Sequence, residues 1–297
     1  MHSELSIAVL TGLGGMVGWG LADLFAKKTI DEIGDIVTLV IAHIFGSLAI
    51  IVVALVALSR GHVFVIPHGI DTWAGLALFG VLQGIVYLLV YIGFGKGQVA
   101  VLNPLFASFS GIVALFSTLF FGELLSGRLV MALVVIFAGI LLLNVDFGAL
   151  RARKLRIAQV PGFRQVGLAT ILAAIWTLSW HVFVSGQDWL AYSMVMYVFM
   201  TLALLAYAWT RKIQLKVGKP WIWKYLILIG VTEMGAYVAI SWGYGATSLT
   251  SVVALLSGAF SLPTIILARL FLKERTTGVQ LFASILIILG IMLVSVF

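Results

Sequence analysis

The chain has 297 residues, of which 62% are hydrophobic and 10% charged, with a mean hydropathy of +1.18 and a formal net charge of +7. Soluble domains average ~45–50% apolar and ~25% charged residues, so this composition excludes both a soluble globular domain and a disordered chain. Zero cysteines exclude disulfides, thiolate metal sites and Cys nucleophiles.

A membrane-crossing helix needs ~20 mostly apolar residues, and ten such runs follow one another. The first, 6–25, carries Gly14-x3-Gly18, then Trp19-Gly20 and Asp23, which forms an i,i+4 pair with Lys27. It has no basic n-region and no small-residue cleavage site, so it reads as a retained helix. The second, 36–58, holds His43 at mid-span, and the third, 73–94, contains Gly80, Gln83, Tyr87, Tyr91 and Gly93, with Gly95 just beyond. The fourth, 99–120, opens on Asn103-Pro104 and ends before Glu123; the fifth, 129–146, contains Gly139. After a basic linker at 147–163 come the sixth run, 165–185, with Trp176, Trp180 and His181, and the seventh, 190–209. The eighth, 222–243, carries Gly230, Glu233, Tyr237, Trp242 and Gly243, with Gly245 following; the ninth, 249–271, is interrupted by Pro263; the tenth is 277–296. Continuous apolarity over helical lengths excludes barrel strands, which alternate. The expected fold is an all-α integral membrane protein.

Ten crossings sort the charge. All of the 18 Lys and Arg except Arg60 and Arg128 fall on one side, which the positive-inside rule makes cytoplasmic, with both termini outside. The same segregation accounts for the basic pI without nucleic acid.

The two halves repeat one another. Gly80, Gln83, Tyr87, Gly93 and Gly95 recur 150 residues later as Gly230, Glu233, Tyr237, Gly243 and Gly245. Glu123, Gly127 and Gly139 recur 151 residues later as Glu274, Gly278 and Gly290. Five crossings per copy is an odd number, so the second copy must be inverted. The expected division is a first repeat at 1–146, a cytoplasmic linker at 147–163 and an inverted repeat at 164–297. Inverted repeats characterise secondary transporters, whose substrate sites lie near the bilayer midplane.

With Trp19-Gly20, Asn103-Pro104, Gly122-Glu123 and Gly139, and their counterparts Pro263, Glu274-Arg275 and Gly290, the chain resembles the ten-helix EamA-type carriers of the drug/metabolite transporter superfamily. The resemblance covers nearly the whole chain. It implies a carrier of amino acids, related metabolites or other small organic solutes, often an exporter, in the plasma membrane of a prokaryote, with no cofactor.

Glu233 is the sharpest candidate. A carboxylate at mid-span costs ~2.5–3.5 kcal/mol to insert, so it must face a cavity or a partner. It reads as a ligand for a substrate ammonium, as a proton-coupling group, or as hydrogen-bonded packing glue; its counterpart Gln83 cannot titrate. Tyr237 lies one turn away on the same face, with Tyr87 its equivalent. His43 and His181 can relay protons or bind an anionic group, or be satisfied locally. Trp19, Trp176 and Trp180 can line a cavity for a cation or an apolar moiety, or stand at the interface. Asn103-Pro104 and Pro263 read as helix breaks, and Gly93, Gly95, Gly243 and Gly245 as hinge or packing positions. Glu123 and Glu274 read as solvated or helix-capping groups. The expected mechanism is rocking of the two halves about a cavity near Glu233, Tyr237, Gln83 and Tyr87, possible within a monomer and coupled to protons or another ion.

Competing classes are a channel or a non-transporting assembly protein, and, more weakly, an intramembrane enzyme. No HExxH, Gly-x-Ser-x-Gly, paired intramembrane aspartates or Walker A motif supports catalysis, metal binding or direct ATP drive.

Overall fold

The computed structural model describes residues 2–26, 28–96, 99–145, 161–271, 273 and 276–295. These form α1 (His2–Ala26), α2 (Ile30–Ile33), α3 (Asp35–Ser59), α4 (Ile70–Lys96), α5 (Val99–Ala107), α6 (Phe109–Phe120), α7 (Gly127–Asn144), α8 (Phe163–Val184), α9 (Trp189–Thr210), α10 (Pro220–Ala246), α11 (Thr250–Gly258), α12 (Ser261–Phe271) and α13 (Gly278–Ser295). Among the described residues there is no strand.

Local chemistry sets the boundaries. The α2–α3 corner turns on Gly34 at φ +82°, and α8 starts from Gly162 at φ +85°, a left-handed conformation that glycine adopts without strain. Ser126 caps α7 by accepting from the Leu129 N–H, Asp188 caps α9 through the Leu190 and Ala191 N–H groups, and Pro220 occupies the first turn of α10.

Among the described residues, nine helices or helix pairs are long and apolar enough to cross a membrane, matching the first nine runs read from sequence. The tenth, Gly278–Val294, supplies about 26 Å of helix against a hydrocarbon core of ~30 Å and stands at the short end. Exposed Leu10, Leu55, Leu78, Leu119, Leu202 and Met292 belong to an outer apolar surface that lipid covers. The linker at 147–163 falls outside the described residues except for 161–163, as do Lys27, Glu274 and Arg275.

The fourth and ninth crossings are each broken, into α5–α6 at Ser108 and into α11–α12 at Ala259–Phe260. These breaks are equivalent under the 151-residue offset, although Pro104 and Pro263 are not. Pro263 has no N–H for the Ala259 carbonyl four residues back, which accepts from the Leu262 N–H at 2.9 Å instead. At the other break the Leu105 carbonyl is taken by two hydroxyls, Ser108 Oγ at 2.6 Å and Thr170 Oγ1 at 3.0 Å.

The extensive helix pairings cross between the repeats: α1 with α10 and α11, α4 with α8 and α9, α3 with α9 and α10, α6 with α11, and α7 with α13. The repeats interdigitate, and the contacts are reciprocal. A Cβ on Gly139 would meet Ile287 Cγ1 at 2.6 Å and the Ala283 carbonyl at 3.1 Å, while one on Gly290 would meet Ile136 Cγ1 at 2.5 Å and the Ala132 carbonyl at 3.1 Å. Likewise Gly80 lies against Met196 and Phe199, and Gly230 against Ala42 and Phe45. The glycines are related by the offsets of 150 and 151, and the residues they meet in α3 and α9 by 154, so Ala42 and Phe45 are the counterparts of Met196 and Phe199, as a pseudo-twofold axis requires.

Overpacking such a crossing costs about 1–3 kcal/mol. Gly139→Ala and Gly290→Ala are each expected to lower the thermal midpoint of the detergent-solubilised protein. Adding Ile287→Ala to Gly139→Ala should restore part of the loss, measured as a double-mutant cycle.

Candidate substrate cavity

A cavity of about 690 Å³ lies between the repeats, within the range of small-molecule sites. It runs from Tyr244 at its deep end to exposed Asp23 at the C-terminal end of α1, with Ile30 of α2, Asp35 of α3 and Gln280 of α13 along the mouth. Every one of those mouth positions lies at the helix ends that carry the basic loops, so the cavity opens on that side. Among the described lining residues there are three carboxylates, Asp23, Asp35 and Glu233, and no Lys, Arg or His.

Glu233 projects from the middle of α10 and is 5% exposed. On its cavity side a row of hydroxyls and amides leads to it. Gln83 Nε2 donates to the Tyr237 hydroxyl at 2.6 Å, Tyr237 donates to the Tyr87 hydroxyl at 3.2 Å, and Tyr87 stands beside the Glu233 carboxyl. Gln83 and Glu233 are equivalent under the repeat, as are Tyr87 and Tyr237, so this chain straddles the pseudo-twofold axis. Behind the carboxylate stands fully buried His43, with Nε2 3.5 Å from Glu233 Oε1 and Nδ1 2.8 Å from the Leu39 carbonyl.

The wall is aromatic. Tyr237 packs edge-on between Trp19 at 5.7 Å and Trp176 at 6.1 Å, and Trp19 also meets Phe260 at 6.2 Å. Trp176 donates its indole N–H to the Phe79 carbonyl at 2.9 Å. Trp19 Nε1 and Gln83 Oε1, on two lining residues, are buried without a hydrogen-bond partner. An unmet donor and an unmet acceptor thus stand within the wall of one cavity.

The deep end is sealed. Trp180 stacks on Trp176 at 5.4 Å, gives its indole N–H to Ser241 Oγ at 3.1 Å, and packs with Phe79 and Phe183. On the same side the α6–α7 loop folds back so that Glu123, 8% exposed, accepts the Ser251 N–H at 3.0 Å and the Ser251 hydroxyl at the start of α11. Glu123 is thus a tertiary helix cap joining the two repeats.

The structure brings Glu233, Tyr237, Gln83, Tyr87, Trp19, Trp176 and Asn103 to the cavity and places His43 and Trp180 immediately behind its wall. His181 lies elsewhere, against Phe121 and Tyr244 near the seal. Pro263 packs on Gly20, Gly93 on Val166, Gly243 on Thr11, and Gly245 beside Trp189, so these are packing positions; Pro104 lies within α5, outside the lining. Sequence reasoning missed Asp35, Asn144 and Ser261. Asn144 Oδ1 accepts from Asn103 Nδ2 at 2.6 Å and from Ser261 Oγ at 2.8 Å, forming a polar cluster near the mouth. A single amide ending the apolar run of α7 was the available signal. Asp23, read from sequence as a structural partner of Lys27, lines the mouth.

Compared with known proteins, residues 6–145 and 165–296 each match the sequence model described as the EamA-like transporter family. Each match spans five crossings. No curated protein matches in sequence. Among solved structures, one crystal structure covers 98% of this chain and 98% of its own at a TM-score of 0.76 and 17% identity, a likeness of fold.

Burial raises the pKa of Glu123 above the usual carboxylate value of 4.5, opposed by its hydrogen bonds from Ser251 and Ser117. A carboxylate whose folded value is raised favours the fold below its unfolded value and loses that contribution as pH climbs through the folded one. Thermal midpoints of the wild type should therefore decline over a window starting near pH 4.5 and extending upward. That decline should be absent in Glu123→Gln, measured side by side.

Proposed function

The chain belongs to the EamA-like transporter family, and from that premise we propose that it is a secondary carrier of small organic solutes bearing an amino or other cationic group, amino acids among them, working by alternating access. The observation that carries this reading is the cavity itself: three carboxylates, an aromatic wall and no described basic side chain. Carboxylates in a low-dielectric cleft concentrate cations, and a desolvated ammonium over Trp or Tyr faces gains up to ~2 kcal/mol. For an amino acid, the second N–H of the Gln83 and of the Asn103 amide, beyond those given to Tyr237 and Asn144, is the kind of donor its carboxylate takes.

The asymmetric arrangement supports a carrier over a channel. One end is open and the other is closed by Trp180, Phe183 and the Glu123 cap, so a solute sees one side at a time. With the basic loops in the cytoplasm, this is the inward-open state of a protein in a prokaryotic plasma membrane, loading from within and exporting, with both termini outside. Reciprocal packing means that exchanging equivalent contacts closes the basic side and opens the other. The division proposed is 1–146, 147–163 and 164–297, but the repeats interlock, so each moving group contains helices from both and the repeats do not rock as intact halves. The helix breaks at Ser108 and Ala259 are where such movement bends. One chain holds both repeats and encloses the cavity, so the transporting unit is a monomer.

Counterflow in proteoliposomes, scanned over amino acids, amines, sugars and nucleosides, tests the reading. Saturable counterflow of amine-bearing solutes is expected, with kcat/KM falling about tenfold or more in Glu233→Gln, equivalent to about 1.4 kcal/mol. Non-saturating flux would support a channel; no flux would support an assembly protein; preference for neutral solutes would remove the cation from the proposal. In intact cells, an impermeant thiol reagent should label His62→Cys but not Lys216→Cys, and the reverse pattern would invert the orientation.

A further inference from the structure

The contact between His43 and Glu233 requires a proton. His43 Nδ1 lies 2.8 Å from the Leu39 carbonyl, an acceptor only, so Nδ1 must be the protonated nitrogen of a neutral ring. Nε2 then presents a lone pair, and it faces Glu233 Oε1 at 3.5 Å with no hydrogen-bond partner of its own. Two bare acceptors held face to face in a buried site repel one another. One proton between them, on the carboxyl or on Nε2, turns the contact into a hydrogen bond and makes the pair neutral overall.

We propose that His43 and Glu233 form a dyad storing a single exchangeable proton, and that a cationic substrate entering the cavity displaces it, so that transport is a one-for-one exchange of organic cation for proton. This deepens the carrier reading above and rests on it. The accounting closes: the loaded dyad is neutral; release to cavity water leaves neutral His43 and the Glu233 carboxylate; the substrate cation then restores neutrality. The two ligands compete because an unpaired charge at this depth is costly.

Position supports the division of roles. Glu233 lines the cavity and His43 does not, so the histidine exchanges its proton through the carboxylate. The imidazole is fixed by stacking on Tyr197 at 5.5 Å and by the Tyr87 ring edge-on at 5.2 Å, which holds Nε2 on the carboxylate. The repeat points the same way: at the 154-residue spacing that relates α3 to α9 His43 corresponds to Tyr197, and Glu233 corresponds to Gln83, so the pair of groups able to pass one proton between them occurs once and not at its symmetric place. The other ionisable groups nearby are Tyr87 and Tyr91 of α4, Tyr197 of α9, Tyr237 of α10, and, towards the mouth, Asp23 of α1 and Asp35 of α3. Helices α8, α11 and α12 add no ionisable side chain to the described lining.

Phenyltrimethylammonium is the probe, since it is permanently charged and carries no dissociable proton. Its binding to the purified full chain is measured by calorimetry in two buffers of different ionisation enthalpy, which yields the protons released per cation bound. The wild type should release about one proton, with affinity weakening about tenfold per unit fall in pH where the dyad is loaded. Glu233→Gln should abolish both binding and release. In His43→Gln the amide N–H pairs with the carboxylate but holds no exchangeable proton, so release should be lost and the pH slope flattened. Wild-type binding without proton release would overturn the dyad and leave the carrier reading standing. So would a wild-type proton count and pH slope in His43→Gln, whereas absence of saturable binding and flux for every cation would bring down both. If His43→Gln does not fold, infrared difference spectra of the wild type decide: cation-induced loss of a protonated-carboxyl or imidazolium band supports the dyad, and no change in either overturns it.

Discussion

In a bilayer, apolar side chains gain nothing by turning from lipid towards one another, so helices stay together only where backbones approach closely or polar groups pair. The crossing of α7 and α13 meets that condition with one glycine from each repeat: Gly139 lies on Ile287 and the Ala283 carbonyl, and Gly290 on Ile136 and the Ala132 carbonyl. The approach of Gly80 to α9 and of Gly230 to α3 repeats it on either side of the cavity. Small residues therefore decide the architecture, and because they recur at the repeat offset they impose a pseudo-twofold relation on everything packed around them.

The scaffold is symmetric, while the lining of the cavity is not. The side chains on the axis show both. Tyr87 and Tyr237 join each other across it, as do Ser47 and Thr201 at 2.8 Å. Beside them Gln83 stands at the repeat position of Glu233, His43 stacks on its counterpart Tyr197, and the Trp176 indole is satisfied by a carbonyl whereas the Trp19 indole is buried without a partner. Symmetry relates the two sides of the cavity, and the departures from it supply a charged, partly unsatisfied lining.

Much of this was legible in the chain. Ten runs of helical length gave the crossings to within a few residues, and the paired offsets of 150 and 151 announced the inverted repeat. Mid-span Glu233 marked the cavity, because a carboxylate at that depth must face something other than lipid. The breaks at Ser108 and Ala259 were only half visible. Proline signals a lost donor, but at Ser108 the carbonyls are recovered by Ser108 and Thr170 hydroxyls, and nothing in a linear pattern shows which carbonyl a distant threonine will reach. Glu123 read as a solvated or helix-capping group at a span end, and that the helix it caps is α11 follows from a loop folding onto another repeat.

The sequence by itself determined the solvent, the number of crossings, their alternation in direction and the near-equivalence of the halves. Each of these follows from local apolarity, charge and spacing. Tertiary structure alone decided that the repeats interlock, that the cavity opens towards the basic loops, that Asp23, Asp35 and Asn144 join its lining, and that His43 stands behind Glu233 while His181 lies at the seal. The reason is that helix rotation and crossing are set by which small residues meet, and those meetings lie more than a hundred residues apart in the chain.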